Sequence, residues 1–543
     1  MIRVEHLAAD VLGLSPVVRA ALSGTLDPAL LHVPRKLDAF PMPEDRLDVD
    51  ARRELAGALE SNLAQLAPHV AVLENARALG KPRTFAVVTG QQPGFLVAPL
   101  YSIYKALQAV RLAQDLTLLW EQPVVPLFWN HADDHDIAEV HHAWVMNPHL
   151  DLQKIALAGL ASGRQPVSRI VVDDVQNRLG PIREALRQLV GGEEHAERAL
   201  ELFVPKSGET LARAFTRGIT GLLGPHGLVV VEPDWIRGAL SRELARVVAL
   251  DPARHLIAGA ERVRAAGFEV AIEPREAALV YSLDAKGRRA LRSGGDGFRY
   301  DGEDGSRSGD ELAAEIVQDP ANWSPGALLR PIVQDLALPV AAYVGGGGEL
   351  AYHAELGALR AAVGAPRTPF VPRVSVTLVD GRVRFALERL EASVADILRA
   401  RGTFAPPGSE SPEPAVLAKL RAAGEQAKRE LDALRPELAE LDPGLSVQLK
   451  RTGDSVKELV TQLADKAQRI QANRTGKGRR HERRANNVLF PNLAPQERVF
   501  GPLQFVARHG EGWVTELLQE VDALGSEHLV VHLPSKPGEE ESA

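Results

Sequence analysis

Two short apolar runs, Phe85-Ala-Val-Val-Thr89 and Val124-Val-Pro-Leu-Phe-Trp129, flank a stretch of helical periodicity from about Leu100 to Leu116. Runs of this length and composition read as buried strands. Two strands joined by a helix form a crossover, which makes the strands parallel and the connection right-handed. The signature recurs at Leu228-Val-Val-Val-Glu232 and at Leu338-Pro-Val-Ala-Ala-Tyr-Val344, the latter ending in Gly345-Gly-Gly-Gly348 before a helix-like run from Glu349. The fold class expected is α/β, a doubly wound core. In such folds ligands sit beyond the carboxyl ends of the strands, so the chemistry is sought there.

At 543 residues the chain exceeds one ordinary core and calls for three or four structural units. Residues 1–80 read as a helical leader packed on the core, with Leu55, Leu59, Leu63 and Leu66 at helical spacing. The core spans 81–404 and carries two insertions. The first, at about 180–225, is helical, and the second, at about 286–310, is rich in Gly, Asp, Arg and Ser and reads as exposed loop. A Pro/Gly/Ser/Glu linker, Ala405–Pro414, opens a helical segment at 405–491. There Leu417, Leu420, Gly424, Ala427, Leu431, Leu434, Leu438 and Leu441 step by threes and fours, the seam of a coiled coil, with Pro436 bending its last turns. After the Asp442-Pro-Gly444 turn the seam resumes at Leu449, Thr452, Val456, Leu459, Leu463, Ala467 and Ile470, predicting a C-terminal antiparallel α-helical coiled-coil hairpin. Its second face makes a homodimer the expected assembly. Residues 492–543 contain one more strand, Leu529–Leu533, returning to the core or capping the hairpin.

Composition narrows the function classes. A net charge of −8 over this length argues against whole-surface attraction to nucleic acid or an anionic membrane. The basic run Arg474, Lys477, Arg479, Arg480, Arg483 and Arg484 has no interleaved aromatic residues for base stacking and reads as a solvated helix face. There is no cysteine, so neither a disulfide nor a protein thiol nucleophile is available. The start lacks a signal-peptide pattern and no uncharged apolar run reaches spanning length, so a cytoplasmic protein is expected.

Three constellations could carry chemistry. Thr89-Gly90-Gln91-Gln92-Pro-Gly-Phe95 lies between a strand and a helix, where glycines let backbone N–H groups approach a phosphate or carboxylate; a tight structural turn is the bland alternative. Lys105 follows on the helix and could face the same ligand. The densest cluster is Asn130-His-Ala-Asp-Asp134-His135-Asp136 with Glu139, His141 and His142, directly after a strand, where α/β enzymes place general bases and orienting groups. His131 and His135 are four apart, but the spacing is not HExxH and no second ligand cluster is evident, so no metal is expected. Helix caps and a solvated face are the other alternative. The third constellation joins Gln334 and Asp335 to Tyr343, Gly345, Gly346, Gly348, Glu349 and Tyr352, with Glu349 placed to bind an ammonium group and Arg373 beyond it as a carboxylate fork.

The segments TGQQPGFLVAPLYSIYKA, PVVPLFWNHADDHDIAEVHH, LRPIVQDLALPVAAYVGGGGELAYHAEL and FPNLAPQERVFGPLQF together resemble the bacillithiol biosynthesis cysteine-adding enzyme family, in order and spacing, from about residue 80 onward. The resemblance implies a Rossmann-like core with inserted connecting segments, a dimerising coiled coil, and a ligase joining cysteine to glucosaminyl-malate, an amino-sugar conjugate, by an amide bond. It also implies that an adenine nucleotide, ATP or ADP, binds. The sequence departs from the family's Gly-Glu-Asp-His-Asp at Ala132-Asp133-Asp134-His135-Asp136, carries His141 where Asn is usual, and has Gly345-Gly346-Gly347-Gly348-Glu349 for Gly-Gly-Pro-Gly-Glu. Asp134, His135, Asp136, Glu139 and His142 are carried over as matched catalytic positions, with His135 or Asp136 as general base on an amine. The rival expectations are a metal-dependent hydrolase using the His/Asp cluster and a non-catalytic coiled-coil adaptor.

Overall fold

The computed structural model describes residues 1–160, 164–173, 175–176, 178–284, 287–294, 297–301, 303, 305–406, 415–441, 443–474 and 480–536. Its centre is a five-stranded, all-parallel sheet. The order is Phe370–Pro372, Val340–Gly345, Phe85–Gln91, Val124–Asn130 and Val229–Val231. The first of these strands in sequence is therefore central. The next two are added on one side of it and the last two on the other, which puts the topological switch point between Phe85–Gln91 and Val340–Gly345.

The alternation of side chains along a strand divides the interior into two layers. Ala86 and Val88 enter the larger core, while Phe85 and Val87 enter a smaller one with Phe40, Leu112 and Leu116. The crossover helix Tyr101–Trp120 packs into both layers and is buried along most of its length, including Lys105 and Gln108. Its apolar residues recur too densely for a single stripe, as expected of a helix enclosed on more than one side.

Before residue 80 the helices Val49–Ala64 and Val70–Ala78 form as the spacing predicts, with Leu59 and Leu63 buried. That segment is not helical throughout. Arg3–Leu7 is a strand that pairs antiparallel with His528–His532, which in turn pairs parallel with Ser375–Val379. The stretch expected as exposed loop near 286–310 is also corrected. Gly287–Gly294 and Gly297–Tyr300 are strands of a four-stranded antiparallel sheet with Ala278–Asp284 and Trp323–Pro325. The glycines that suggested a loop include the strand-end residues Gly287 and Gly297, at φ 95° and 121°. Leu291 and Phe298 of these two strands are buried.

The C-terminal helices Ala415–Ala433 and Arg435–Leu441 pack along Pro443–Arg474. The break between the first two falls just before Pro436. Residues 407–414 of the linker, Asp442 of the expected turn, and Lys477 and Arg479 of the basic run lie outside the described residues. In the first helix Leu417 and Gly424 face inward as the seam predicts. In the long helix the inward positions are Gly453, Val460 and Ala464, one residue on from the predicted Thr452, Leu459 and Leu463. A Cβ on Gly424 would lie 3.1 Å from Val460, so the two helices meet most closely there. Leu459 and Leu463 are left 64% and 54% exposed.

Candidate functional site

A cleft with two confluent lobes opens at the carboxyl ends of Phe85–Gln91, Val124–Asn130 and Val340–Gly345, at the switch point. One lobe, of about 290 Å³, is lined by Lys105, His131, Asp134, Gly346, Gly347, Gly348, Glu349, Tyr352 and Arg373. The other, of about 400 Å³, is lined by Gly94, Pro99, Glu139, Val140, His142, Trp144, Asn492 and Val499. Gln91, Gln92, Tyr101 and Arg498 border both.

The floor of the smaller lobe is a buried ion pair. Lys105 Nζ donates to Glu349 Oε2 at 2.6 Å and to the Gly90 carbonyl, and is almost wholly enclosed. Tyr343 Oη donates to Glu349 Oε1 at 2.6 Å, and the Gly346 N–H to Oε2 at 2.8 Å. Burial alone would raise the Glu349 carboxyl, but the Lys105 ammonium and these donors overcome it and hold it at about 2. Burial in turn lowers the Lys105 ammonium, with Glu349 opposing that shift. Gly90 has no room for a side chain, since a Cβ would lie 2.6 Å from the Trp129 carbonyl and 2.7 Å from His131 Nε2. Enclosure pushes the His131 imidazole well below its usual range, so it is neutral, and its Nε2 makes no hydrogen bond among the described residues.

The walls are set by partners distant in sequence. Arg373 pairs with buried Glu497 and lies 5.1 Å from the Tyr101 ring centroid. Arg498 lies 5.9 Å from the same ring and carries no ion pair among the described residues. Gln91 Nε2 donates to Tyr101 Oη at 3.0 Å, and burial raises that phenol to about 12. Arg330 donates to Tyr352 Oη at 2.8 Å and to Gln334 Oε1 at 3.0 Å.

The loop after Asn130 fans its side chains apart. Gln92 Nε2 donates to Asp134 Oδ2, while Asp134 Oδ1 accepts the His135 N–H at 2.7 Å. Burial opposes ionisation of Asp134, but His135, Arg288 and Gln92 hold its carboxyl well below the carboxylate range. Asp133 takes both arms of Arg237, which also reaches Asp234 at 2.6 Å. Asp136 caps the short helix Ile137–Val140 through the Glu139 N–H. His141 Nδ1 is engaged by the Ile137 and Ala138 carbonyls, and His142 lines the larger lobe with its imidazole lowered to about 4 by burial and by Lys154. Glu139 sits on the rim of that lobe, where burial and the neighbouring Asp136 and Asp134 raise its carboxyl. Among the described residues no group of three or more His, Asp or Glu side chains is placed to hold a metal ion, because the cluster that is dense in sequence is divergent in space.

Of the residues singled out from sequence, the cleft brings together Gln91, Gln92, Lys105, Asp134, Glu139, His142, Gly346, Gly348, Glu349, Tyr352 and Arg373. Gly90 and Tyr343 support it through Lys105 and Glu349. Thr89 instead locks two strands, donating to the Val344 carbonyl at 2.8 Å, and Gly345 packs against Phe370. Gln334 and Asp335 do not line the cleft. They belong to the buried face of the helix Arg330–Ala337, where Asp335 accepts from Arg360 at 2.6 Å and Thr368 at 2.7 Å. His135 and Asp136 stand beside the cleft rather than in its lining. Sequence reasoning missed Tyr101, Trp144, Asn492, Arg498 and the supporting Arg288; for Asn492 and Arg498 the signal was present in FPNLAPQERVFGPLQF, which was read without assigning residues.

Comparison with known proteins gives the same outline. Residues 36–374 match the family model described as "Bacillithiol biosynthesis BshC, N-terminal Rossmann-like domain", and residues 376–533 match "Bacillithiol biosynthesis BshC, C-terminal coiled-coil domain". Among similar proteins, one from Solibacter usitatus is 29% identical over 505 residues, covering 92% of this chain and 93% of its own length. One from Symbiobacterium thermophilum is 30% identical over 513 residues, covering 89% and 90%. One from Koribacter versatilis is 30% identical over 461 residues, covering 83% and 84%. Each bears the name "Putative cysteine ligase BshC". With both family models spanning the parallel core and the helical hairpin, the chain belongs to the BshC family of bacillithiol biosynthesis.

Proposed function

We propose that the protein joins cysteine to glucosaminyl-malate, forming an amide between the cysteine carboxyl and the sugar amine as the last step of bacillithiol synthesis. The observation that carries this reading is the confluence of two lobes at one switch point, with room for two reactants side by side. The chemistry of the linings suits the task. Arg498, free of ion pairs among the described residues, supplies a cation for an anionic group where the lobes meet. Glu139, with its raised carboxyl, lines the larger lobe as a base for the departing amine proton.

A carboxylate does not acylate an amine in water without activation, and ATP supplies that activation when bound. The residues fit an anionic phosphate: Gly348 has open space where a Cβ would stand, and Arg498 lies on the same lobe. At the cleft Arg498 would hold the anionic group that leaves the activated carboxyl as the C–N bond forms, and Glu139 would take the proton that the amine gives up. A cytoplasmic setting goes with free cysteine and ATP as substrates.

The direct test is a reaction of purified protein with glucosaminyl-malate, cysteine and ATP, followed by mass spectrometry beside a Lys105→Met/Glu349→Gln double variant. Thiol product of the expected mass from the wild type alone supports the ligase. Absence of product with every nucleotide tried sinks it.

The same reading includes a homodimer through the hairpin, supported by the exposed Leu459 and Leu463 on the outer face of its long helix. A Leu459→Glu/Leu463→Glu variant is expected to halve the mass measured by light scattering while leaving the helical signal in circular dichroism unchanged. A mass equal to that of the wild type would remove the outer leucines from the interface.

A further inference from the structure

The inserted antiparallel sheet delivers one side chain to the catalytic loop. Arg288, at the start of the strand Gly287–Gly294, is buried with its guanidinium 3.6 Å from the Tyr281 ring centroid. Its Nη1 lies 2.9 Å from His135 Nδ1 and 3.4 Å from Asp134 Oδ1. A guanidinium only donates, so at 2.9 Å the imidazole Nδ1 must accept, and the ring proton resides on Nε2. The competing arrangement, Nδ1–H directed at Asp134 Oδ1, spans 3.5 Å and would set two donors against each other. Asp134 Oδ1 is moreover already engaged by the His135 N–H at 2.7 Å. Tyr281, whose ring centroid is 5.8 Å from that of His135, completes the surroundings without adding a charge.

From this geometry we infer that Arg288 is a positioning residue for the cleft: it fixes His135 as the Nε2–H tautomer, steadies Asp134 against Gln92, and so removes His135 from general-base duty. Its Nδ1 lone pair is occupied by Arg288, and its Nε2 already carries a proton. The inference rests on the ligase reading only where it assigns the base. Within that reading the amine proton goes to a carboxylate, and Glu139 is the acid residue of this loop that lines the cleft together with Asp134, whose oxygens are already committed. Arg288 is contributed by a segment about 150 residues downstream of the loop, so the sheet acts as a clamp on chemistry it does not touch.

The tautomer is read directly by long-range ¹⁵N–¹H correlation on histidine-labelled, full-length protein without substrates, with the His135 resonances assigned from the spectrum of His135→Gln. The wild type is expected to show an unprotonated Nδ1 and a protonated Nε2. Arg288→Lys, which keeps a donor, preserves that pattern, and Arg288→Met releases the ring to the exchanging mixture of an ordinary histidine. A protonated Nδ1 in the wild type overturns the proposal, as does a tautomer unaffected by Arg288→Met. Because no substrate is present, the result is independent of whether the protein proves to be a ligase. In the ligase assay, His135→Gln, which retains an N–H near the Nε2 position but cannot take up a proton, is expected to keep kcat within about tenfold of wild type, well above the loss of about 10²–10⁴ that follows removal of a positioned base. A loss of that larger size, with disappearance of the acid limb of the pH profile, would restore His135 as the base and overturn the assignment.

Discussion

Lys105→Met is expected to abolish turnover and to destabilise the fold by about 3–5 kcal/mol, the cost of leaving one member of a buried pair without its partner. The methionine fills the volume but leaves the Glu349 carboxylate beneath Tyr343 and Gly346 without its counter-charge. Urea unfolding measures the loss. The informative companion is Lys105→Met/Glu349→Gln, in which no charge is left uncompensated. Most of the stability should return while turnover does not, because the double variant restores packing without restoring the polar floor of the lobe. If both single and double variants unfold at the wild-type midpoint, the ion pair does not hold the fold together. A pH dependence follows with a definite sign. Glu349 is held at about 2 in the folded protein against an ordinary 4.5, so its contribution is whole above pH 4.5 and drains away as pH falls toward the folded value.

Glu139→Gln is expected to lower kcat by about 10²–10⁴-fold, the range for a general base, with little change in KM for either substrate. The carboxyl must be ionised to accept the amine proton. Since burial, Asp136 and Asp134 all raise it, the wild-type rate should fall with decreasing pH through a value above that of an ordinary glutamate. Glutamine does not titrate, so the variant's residual rate should be flat across that limb. A variant that keeps the limb would assign it to another group. One that raises KM and spares kcat would make Glu139 a binding residue.

The legible parts of this protein are those that depend on local pattern. The runs Phe85–Thr89 and Val124–Trp129 are enclosed on both faces, and continuous apolarity is what a parallel sheet requires of its strands. They appear as Phe85–Gln91 and Val124–Asn130. The glycine turns between strand and helix then place Gln91, Gln92 and Gly346 at one edge by topology alone. What sequence could not supply is long-range company. Nothing near Arg288 in sequence distinguishes it from many other arginines, and its meaning comes from Asp134 and His135, far away along the chain; Arg498 lies in the segment FPNLAPQERVFGPLQF, but its place in the cleft is set by Tyr101, equally distant. Asp335 looked like a site residue because it lies near the glycine loop, but its helix turns it toward Arg360 and Thr368. In the hairpin, leucines at heptad spacing gave the helix its existence but not its rotation. The small residues Gly424, Gly453 and Ala464 decide the inward face by allowing close approach, which leaves Leu459 and Leu463 outside.

The three-stranded sheet that joins Arg3–Leu7, His528–His532 and Ser375–Val379 has a consequence for how the molecule is born. Its middle strand is made last. On a ribosome adding about 5–20 residues per second, the first strand waits for its neighbour while the whole parallel core and the helical hairpin are made between them. Glu497, which fixes Arg373 and also accepts the Val376 N–H, arrives only shortly before that strand. The parallel core can therefore collapse while the chain is still growing, but the wall of the cleft closes only after Glu497 has been made. A nascent chain that has folded its nucleus early would remain inert until the segment carrying Glu497 and His528–His532 docks, so that the appearance of activity would report that docking rather than collapse of the core.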